Sequence, residues 1–211
     1  MTNKLFLLLA TASLFAACSK DDNNGTTPPP PTNGSDTIDV RGTISANATW
    51  SKSKVYRLRG YVYVNSPATL TIEAGTQIIS NKDSAGVLLI YKGAKIMAAG
   101  TKEEPIVFTS AEANKLPGDM GGVVLVGNAT CNGNHGTLEG NVDADHKNFG
   151  GNDDHDNSGV LKYVRIEYAG KATGPNDEIN GLTLYGVGDG TELDYIQVIR
   201  GLDDAFEFFG G

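Results

Sequence analysis

The sequence predicts an all-β domain of the solenoid kind, and three observations carry that prediction. Beyond Ile38 the apolar residues fall in short runs divided by Gly, Asn, Asp and Pro, and no stretch keeps a helical period over three turns. The chain also echoes itself. Ile72-Glu-Ala-Gly-Thr76 returns as Met97-Ala-Ala-Gly-Thr101, 25 residues on, and Leu161-Lys-Tyr-Val-Arg-Ile166 returns as Leu193-Asp-Tyr-Ile-Gln-Val198, 32 residues on. Repeat periods of about 20–50 residues belong to solenoids and propellers. Within the second echo, Leu161 and Tyr163 share one parity while Val164, Ile166 and Tyr168 share the other. A period-2 pattern that changes phase midway marks a strand turning a corner while keeping its apolar side inward.

Composition agrees. Of 211 residues, 27 are glycine, 39% are hydrophobic and 20% are charged. That supports one core and excludes a coiled coil or a charged disordered chain. A net charge of −8 argues against a nucleic-acid partner, which needs a basic face to displace counterions.

In chain order, residues 1–17 read as a signal peptide. Lys4 is followed by 13 uncharged residues, Leu5 to Ala17. A membrane-spanning helix needs about 20, and a signal-peptide core about 7–15. The apolar run ends at Ala16-Ala17-Cys18. Residues 18–37 read as a disordered tether: after Cys18 they hold no large apolar residue and include Pro28-Pro29-Pro30-Pro31. Residues 38–211 form the β domain. Its expected strands are at 62–64, 70–72, 77–79, 87–91, 95–97, 106–109, 123–126, 161–168, 182–184 and 193–199, and residues 110–116 have room for one helical turn. Expected core residues are Val62, Leu70, Ile72, Ile78, Leu89, Ile96, Val107, Val124, Ile166, Leu184 and Ile196. Residues 133–159 carry no apolar period and are expected to form a polar insertion outside the coils, mobile unless a cation binds. The β domain holds one cysteine, Cys131, which leaves it without a disulfide partner there.

Three stretches resemble known families. Leu14-Phe15-Ala16-Ala17-Cys18 resembles the bacterial lipobox, with Phe15 where Leu is usual. The resemblance implies cleavage before Cys18 and acylation of it; an ordinary secretory signal with an accidental Cys is the alternative. Ser19-Lys20-Asp21-Asp22 resembles the surface-export signal of Bacteroidetes-type lipoproteins, implying an outer-membrane anchor with the domain facing outward. The β domain, over about residues 55–211, resembles the right-handed parallel β-helix of cell-surface lipoproteins of that type. The matching stretches include Lys92-Gly-Ala-Lys-Ile-Met-Ala-Ala-Gly-Thr101, Pro105-Ile-Val-Phe-Thr-Ser110, Tyr163-Val-Arg-Ile-Glu-Tyr-Ala-Gly170 and Asp203-Asp-Ala-Phe-Glu-Phe-Phe-Gly-Gly211. Met120 departs from the pattern, which commonly has an aromatic residue there. Nothing after Phe206, Phe208 and Phe209 looks like a cap. The sequence therefore reads either as a fragment or as a chain whose end meets another chain.

Candidate chemistry is sparse. Asp143, Asp145, Asp153, Asp154 and Asp156 concentrate in the insertion and offer oxygens suited to Ca²⁺, but without EF-hand spacing; a solvated acidic loop is the favoured reading. His135, His146 and His155 show no metal-binding pair. Asp203, Asp204 and Glu207 are the carboxylates a glycosidase would need. The Gly-His-Gly and Arg-x-Lys of polygalacturonase-like enzymes are missing, however, and Arg165 and Arg200 are better explained as partners of Glu167 and Asp194. Tyr61, Tyr63, Tyr91, Tyr163, Tyr168, Tyr185 and Tyr195 would suit a glycan-binding face, although half-buried strands are rich in tyrosine anyway. Asp36-Thr37-Ile38 and Asp83-Ser84-Ala85 resemble O-glycosylation acceptors. The expected function is a surface-anchored binding or structural module whose partner is a polysaccharide or an envelope protein. A polysaccharide lyase or hydrolase is the alternative.

Overall fold

The structure, a computed structural model, describes residues 37–132, 136–175 and 177–211. Cys18, the export-like motif and most of the tether therefore lie outside the described residues. The chain winds as a right-handed parallel β-helix with three faces. The first coil holds β1 (Thr37–Ile44), and the second holds β2 (Ala48–Trp50) and β3 (Val55–Val64). The third holds β4 (Thr69–Ile72), β5 (Gln77–Ser80) and β6 (Val87–Ile90), and the fourth β7 (Lys95–Ala99), β8 (Ile106–Ser110) and β9 (Gly122–Val126). The fifth has β10 (Gly159–Glu167), a hairpin of β11 (Lys171–Gly174) and β12 (Asp177–Ile179), then β13 (Leu182–Tyr185). The sixth has β14 (Glu192–Ile199) and β15 (Phe206–Phe209).

Face 1 stacks β2, β4, β7 and the starts of β10 and β14. Face 2 stacks the starts of β1 and β3 on β5, β8 and the ends of β10 and β14. Face 3 stacks the ends of β1 and β3 on β6, β9, β13 and β15. Every one of these pairings is parallel; among the described strands the β11–β12 hairpin is the antiparallel pair. Because each coil repeats the same winding, one residue type stacks above its like. Tyr56, Ile78, Phe108, Ile166 and Val198 form one such column inside face 2.

The 32-residue echo is the ladder itself: Leu161 pairs with Leu193, Val164 with Ile196 and Ile166 with Val198. The 25-residue echo is not. Ile72 pairs with Ala98, so Met97 sits over Thr71 and points outward, 38% exposed. The turn Glu73–Thr76 and the longer one at 100–105 differ in length, and that difference displaces the likeness by one residue. The structure has no helical turn at 110–116; among the described residues the one 3₁₀ turn is at Ala144–His146. The sequence also gave no warning of β2, of β1 or of the first half of β3.

Most expected core residues line the interior, with Ile196 only partly buried against it. Val107 is buried but alternates to the outside of face 2, between the inward Ile106 and Phe108. Leu89 and Val124 are corrections too. They are buried, but on the outside of face 3. Alternation puts Leu88 and Ile90 inside and Val87 and Leu89 outside, and all four are buried. A strand covered on both sides reads as a continuous apolar run.

The cover is the segment between β9 and β10. Its described residues add no strand to the stack, yet they form no solvated loop. Leu138, Val142 and Phe149 are buried against Tyr63, Leu89, Val124, Val126 and Tyr185. Tyr91 Oη donates to the Asn148 carbonyl at 3.1 Å and Lys92 Nζ to that of Gly150 at 2.7 Å. The Glu139 N–H donates to Tyr185 Oη at 3.1 Å, and that of Asp143 to Tyr63 Oη at 3.3 Å. Three large apolar side chains, widely spaced in sequence, are enough to fix a polar segment when a strand face offers them a flat apolar floor.

Candidate functional site

At the corner between faces 1 and 2 the early coils turn through several residues, whereas β10 and β14 turn through one. Those single residues are Tyr163 and Tyr195, at φ 48° and 50°. A non-glycine residue in the left-handed region costs roughly 1–2 kcal/mol, and here the same residue type is placed there in two successive coils. Both side chains are directed outward, because the apolar residues on either side face in. Their rings stack in parallel, 4.4 Å between centroids and 2° between planes, and Tyr195 is 63% exposed.

Beside this platform lies a cleft of about 190 Å³, walled by Thr101, Lys102 and Pro105 on one side and floored by Arg165 and Gln197. Arg165 is held by Glu167, Nε to Oε1 at 2.7 Å, and Glu167 in turn accepts from Thr109 Oγ1 at 2.7 Å. The cleft is smaller than the roughly 300–1,000 Å³ of an enclosing ligand pocket. It therefore suits one ring of a longer ligand lying along the coils. Among the described residues lining it there is no carboxylate, imidazole or thiol. Neither the carboxylate pair of a hydrolase nor the carboxylate ligands of a Ca²⁺-dependent lyase is in place there.

The acidic residues expected to gather round Ca²⁺ are turned to separate partners. Asp143 Oδ1 caps the 3₁₀ turn and meets His146 Nδ1 at 2.6 Å. Burial alone would raise the Asp143 carboxyl, but the His146 hydrogen bond and charge and two backbone N–H groups hold it low. Asp145 is exposed; Asp153 accepts from the His155 N–H and Asp154 from that of Thr130. Asp156 is buried and accepts from Asn128 Nδ2 at 3.0 Å and Ser158 Oγ at 3.2 Å. No three His, Cys, Asp or Glu among the described residues converge as a metal site. His135 lies outside them. Cys131 is a half-buried free thiol, raised above its ordinary pKa by burial.

Asp203 and Asp204 sit in an exposed turn, where Asp203 Oδ1 accepts from the Asp204 N–H. Glu207 lies on the outer side of β15, bonded to Asn180 Nδ2. Burial raises the Glu207 pKa, and the charges of Glu139, on the covering segment, and of Asp204 add to it. Of the other tyrosines, Tyr61, Tyr63, Tyr91 and Tyr185 pack in or against the layer beneath that segment, and Tyr168 accepts from Arg200 Nη1.

Over residues 42–211 the chain matches the model of the pectate-lyase-like β-helix domain. The chain belongs to that family. No curated protein and no solved structure matches it. Within this pectate-lyase-like domain the acidic seam makes a pH prediction. Burial raises the pKa of both Glu139 and Glu207, and neighbouring carboxylates add to it. A carboxyl whose folded pKa is raised stabilises the fold while protonated, below its unfolded value near 4.3. That contribution is lost as pH rises through the folded value. Glu207→Gln keeps an oxygen for Asn180 and removes the charge. It should raise the thermal midpoint at pH 7 by about 1–3 °C, since about 2–4 °C corresponds to 1 kcal/mol at this size, and the gain should vanish at pH 4. A scanning-calorimetry series across pH checks both points.

Proposed function

We propose that this pectate-lyase-like β-helix is a glycan-binding module of the cell envelope, tethered through an acylated Cys18 at the outer membrane and facing outward. The observation that supports glycan binding is the exposed Tyr163–Tyr195 stack beside the cleft. The C–H face of a sugar ring packs on an aromatic face by dispersion. Arg165, Lys102 and Gln197 supply donors to its hydroxyl and carboxylate oxygens. Two rings held at strained backbone positions over a rigid ladder lose little freedom on binding, which favours affinity. The anchor rests on the Leu14–Cys18 run, and the outward orientation on Ser19-Lys20-Asp21-Asp22.

A panel of immobilised polysaccharides tests the binding. Tyr195→Ala should weaken capture at least tenfold, about 1.4 kcal/mol, with the fold unchanged. Equal binding by the variant would remove the site. New reducing or unsaturated ends in the bound glycan would favour the enzyme reading instead. For the anchor, a fatty-acid label should enter the native chain and not Cys18→Ala, and protease added to intact cells should reach the domain.

A further inference from the structure

We infer that the cleft beneath the β11–β12 hairpin is a second binding site, separate from the tyrosine platform, and that it takes a small organic anion: a carboxylate carrying one compact apolar group.

The cleft follows from the strand register. On the outer side of face 3, Tyr61 pairs with Val87 and Val87 with Gly122, so the third rung of that column has no side chain. None would fit there. A Cβ on Gly122 would lie 2.0 Å from the Asn180 carbonyl oxygen and 3.0 Å from Ile179 Cγ2. Ile179 and the rest of the hairpin thus bridge the gap without filling it. What remains is a half-open space of about 130 Å³, with apolar walls from Ala85, Val87, Gly121 and Ile179. A dry cavity that admits benzene measures roughly 150 Å³, so this one suits an aromatic ring or a short branched chain. Ala85, in its wall, has a left-handed backbone, φ 37°. Strained positions of that kind collect at ligand sites.

The polar groups around this space leave one charge unanswered. Thr173 Oγ1 donates to Asp177 Oδ2 at 2.6 Å, and Asp177 Oδ1 accepts from the Gly140 N–H at 2.6 Å, so both oxygens of that carboxylate are engaged. Ser84 Oγ is turned to Asn81 Oδ1, and Tyr61 Oη donates to the Gly140 carbonyl. Lys171 differs from these. Its Nζ donates to the Lys82 carbonyl at 3.3 Å, and among the described residues it is in no ion pair. An ammonium carries three donors, so two remain for a ligand. Charge-assisted hydrogen bonds to a carboxylate are the strong ones. An ammonium beside an apolar recess therefore selects an anionic head on an apolar body.

The test follows the amide NMR signals of the full chain with benzoate, benzyl alcohol and acetate as probes. Benzoate should shift Ala85, Val87, Gly121 and Ile179 saturably at millimolar concentration. Benzyl alcohol should bind at least tenfold more weakly, and acetate should leave these signals unmoved. Lys171→Met keeps the aliphatic stem and removes the charge. It should weaken benzoate at least tenfold and leave benzyl alcohol unchanged. Thr173→Phe, at an exposed hairpin position, puts a ring into the space and should remove binding of both, with amide signals away from the hairpin unchanged. Benzoate affinity unaltered by Lys171→Met would overturn the proposal. So would acetate binding as tightly as benzoate, or the lack of any saturable shift at these four amides.

Discussion

Gly159→Ala is expected to destabilise the domain by about 4 kcal/mol or more, the range reserved for a forced clash in a packed interior. Gly159 is where the chain leaves the covering segment and rejoins the stack as β10. It takes φ +115°, and an added Cβ would lie 1.9 Å from the Ile96 carbonyl oxygen and 2.8 Å from that residue's C and N. These are backbone atoms of β7, the very strand Gly159 pairs with. Relief therefore requires opening the β7–β10 ladder, on which the fifth and sixth coils depend. The thermal midpoint should fall by about 10 °C, at roughly 2–4 °C per kcal/mol. Gly60→Ala is the control. Gly60 also has a positive φ, +71°, but open space around it. It should cost only the roughly 1–2 kcal/mol of backbone strain. Equal losses in the two variants would show that the coils do not stack so closely at Gly159.

The difference between the two internal echoes explains how much of this fold can be read from sequence. Where successive coils turn through one residue, as at Tyr163 and Tyr195, likeness in sequence is register in space, and Leu161 pairs with Leu193. Where the turns differ in length, at Glu73–Thr76 and 100–105, the turn residues resemble each other but the strands pair one residue out of step. Local similarity follows the turn, whereas the ladder follows the buried columns. The covered side of face 3 was legible only as a hint. Val87-Leu88-Leu89-Ile90 and Val123-Val124-Leu125-Val126 are too apolar for a surface strand, but nothing in those runs says what lies on top of them. The answer depends on Leu138, Val142 and Phe149, three residues in a stretch dominated by Asp, Asn and Gly, and their contacts are all long-range.

The candidate site was legible to the same degree. Seven tyrosines suggested an aromatic face, yet only Tyr163 and Tyr195 form the exposed stack. The signal that separates them was already present. A residue at the change of phase between two inward sets must point out, and only these two tyrosines hold that place in both copies of the echo. The acidic concentration could be read in the sequence, but the directions of its side chains could not. Composition places Asp143, Asp153 and Asp156 near one another along the chain, but backbone turns and the partners His146, Asn128 and Ser158 direct their carboxylates apart.

The second large effect is expected at His146. Its ring is 5% exposed, stacks on Tyr63 at 3.9 Å, and meets Tyr91 edge-on at 4.9 Å. Nδ1 lies 2.6 Å from Asp143 Oδ1 and Nε2 2.9 Å from Asn65 Oδ1, so one side chain ties the covering segment to itself and to the coil beneath. His146→Ala removes the ring from a packed layer and takes the ring contact from Asn65 Oδ1, while Asp143 Oδ1 keeps its backbone N–H donors. Cavity and unpaired-group costs together are on the order of 3 kcal/mol. The loss should be local, because β6 and β9 keep their ladder with β3 and β13 whether or not the segment is down. In hydrogen exchange, the amides of Leu138, Asp143 and Gly150 should lose protection while those of Leu88 and Val123 keep theirs. His146→Phe separates the two contributions: it retains the stack on Tyr63 and loses both polar contacts. If His146→Phe protects the segment as well as the native residue does, apolar packing alone holds it. If His146→Phe exchanges like His146→Ala, the Asp143–His146–Asn65 chain is what fixes the segment over the outer floor of face 3.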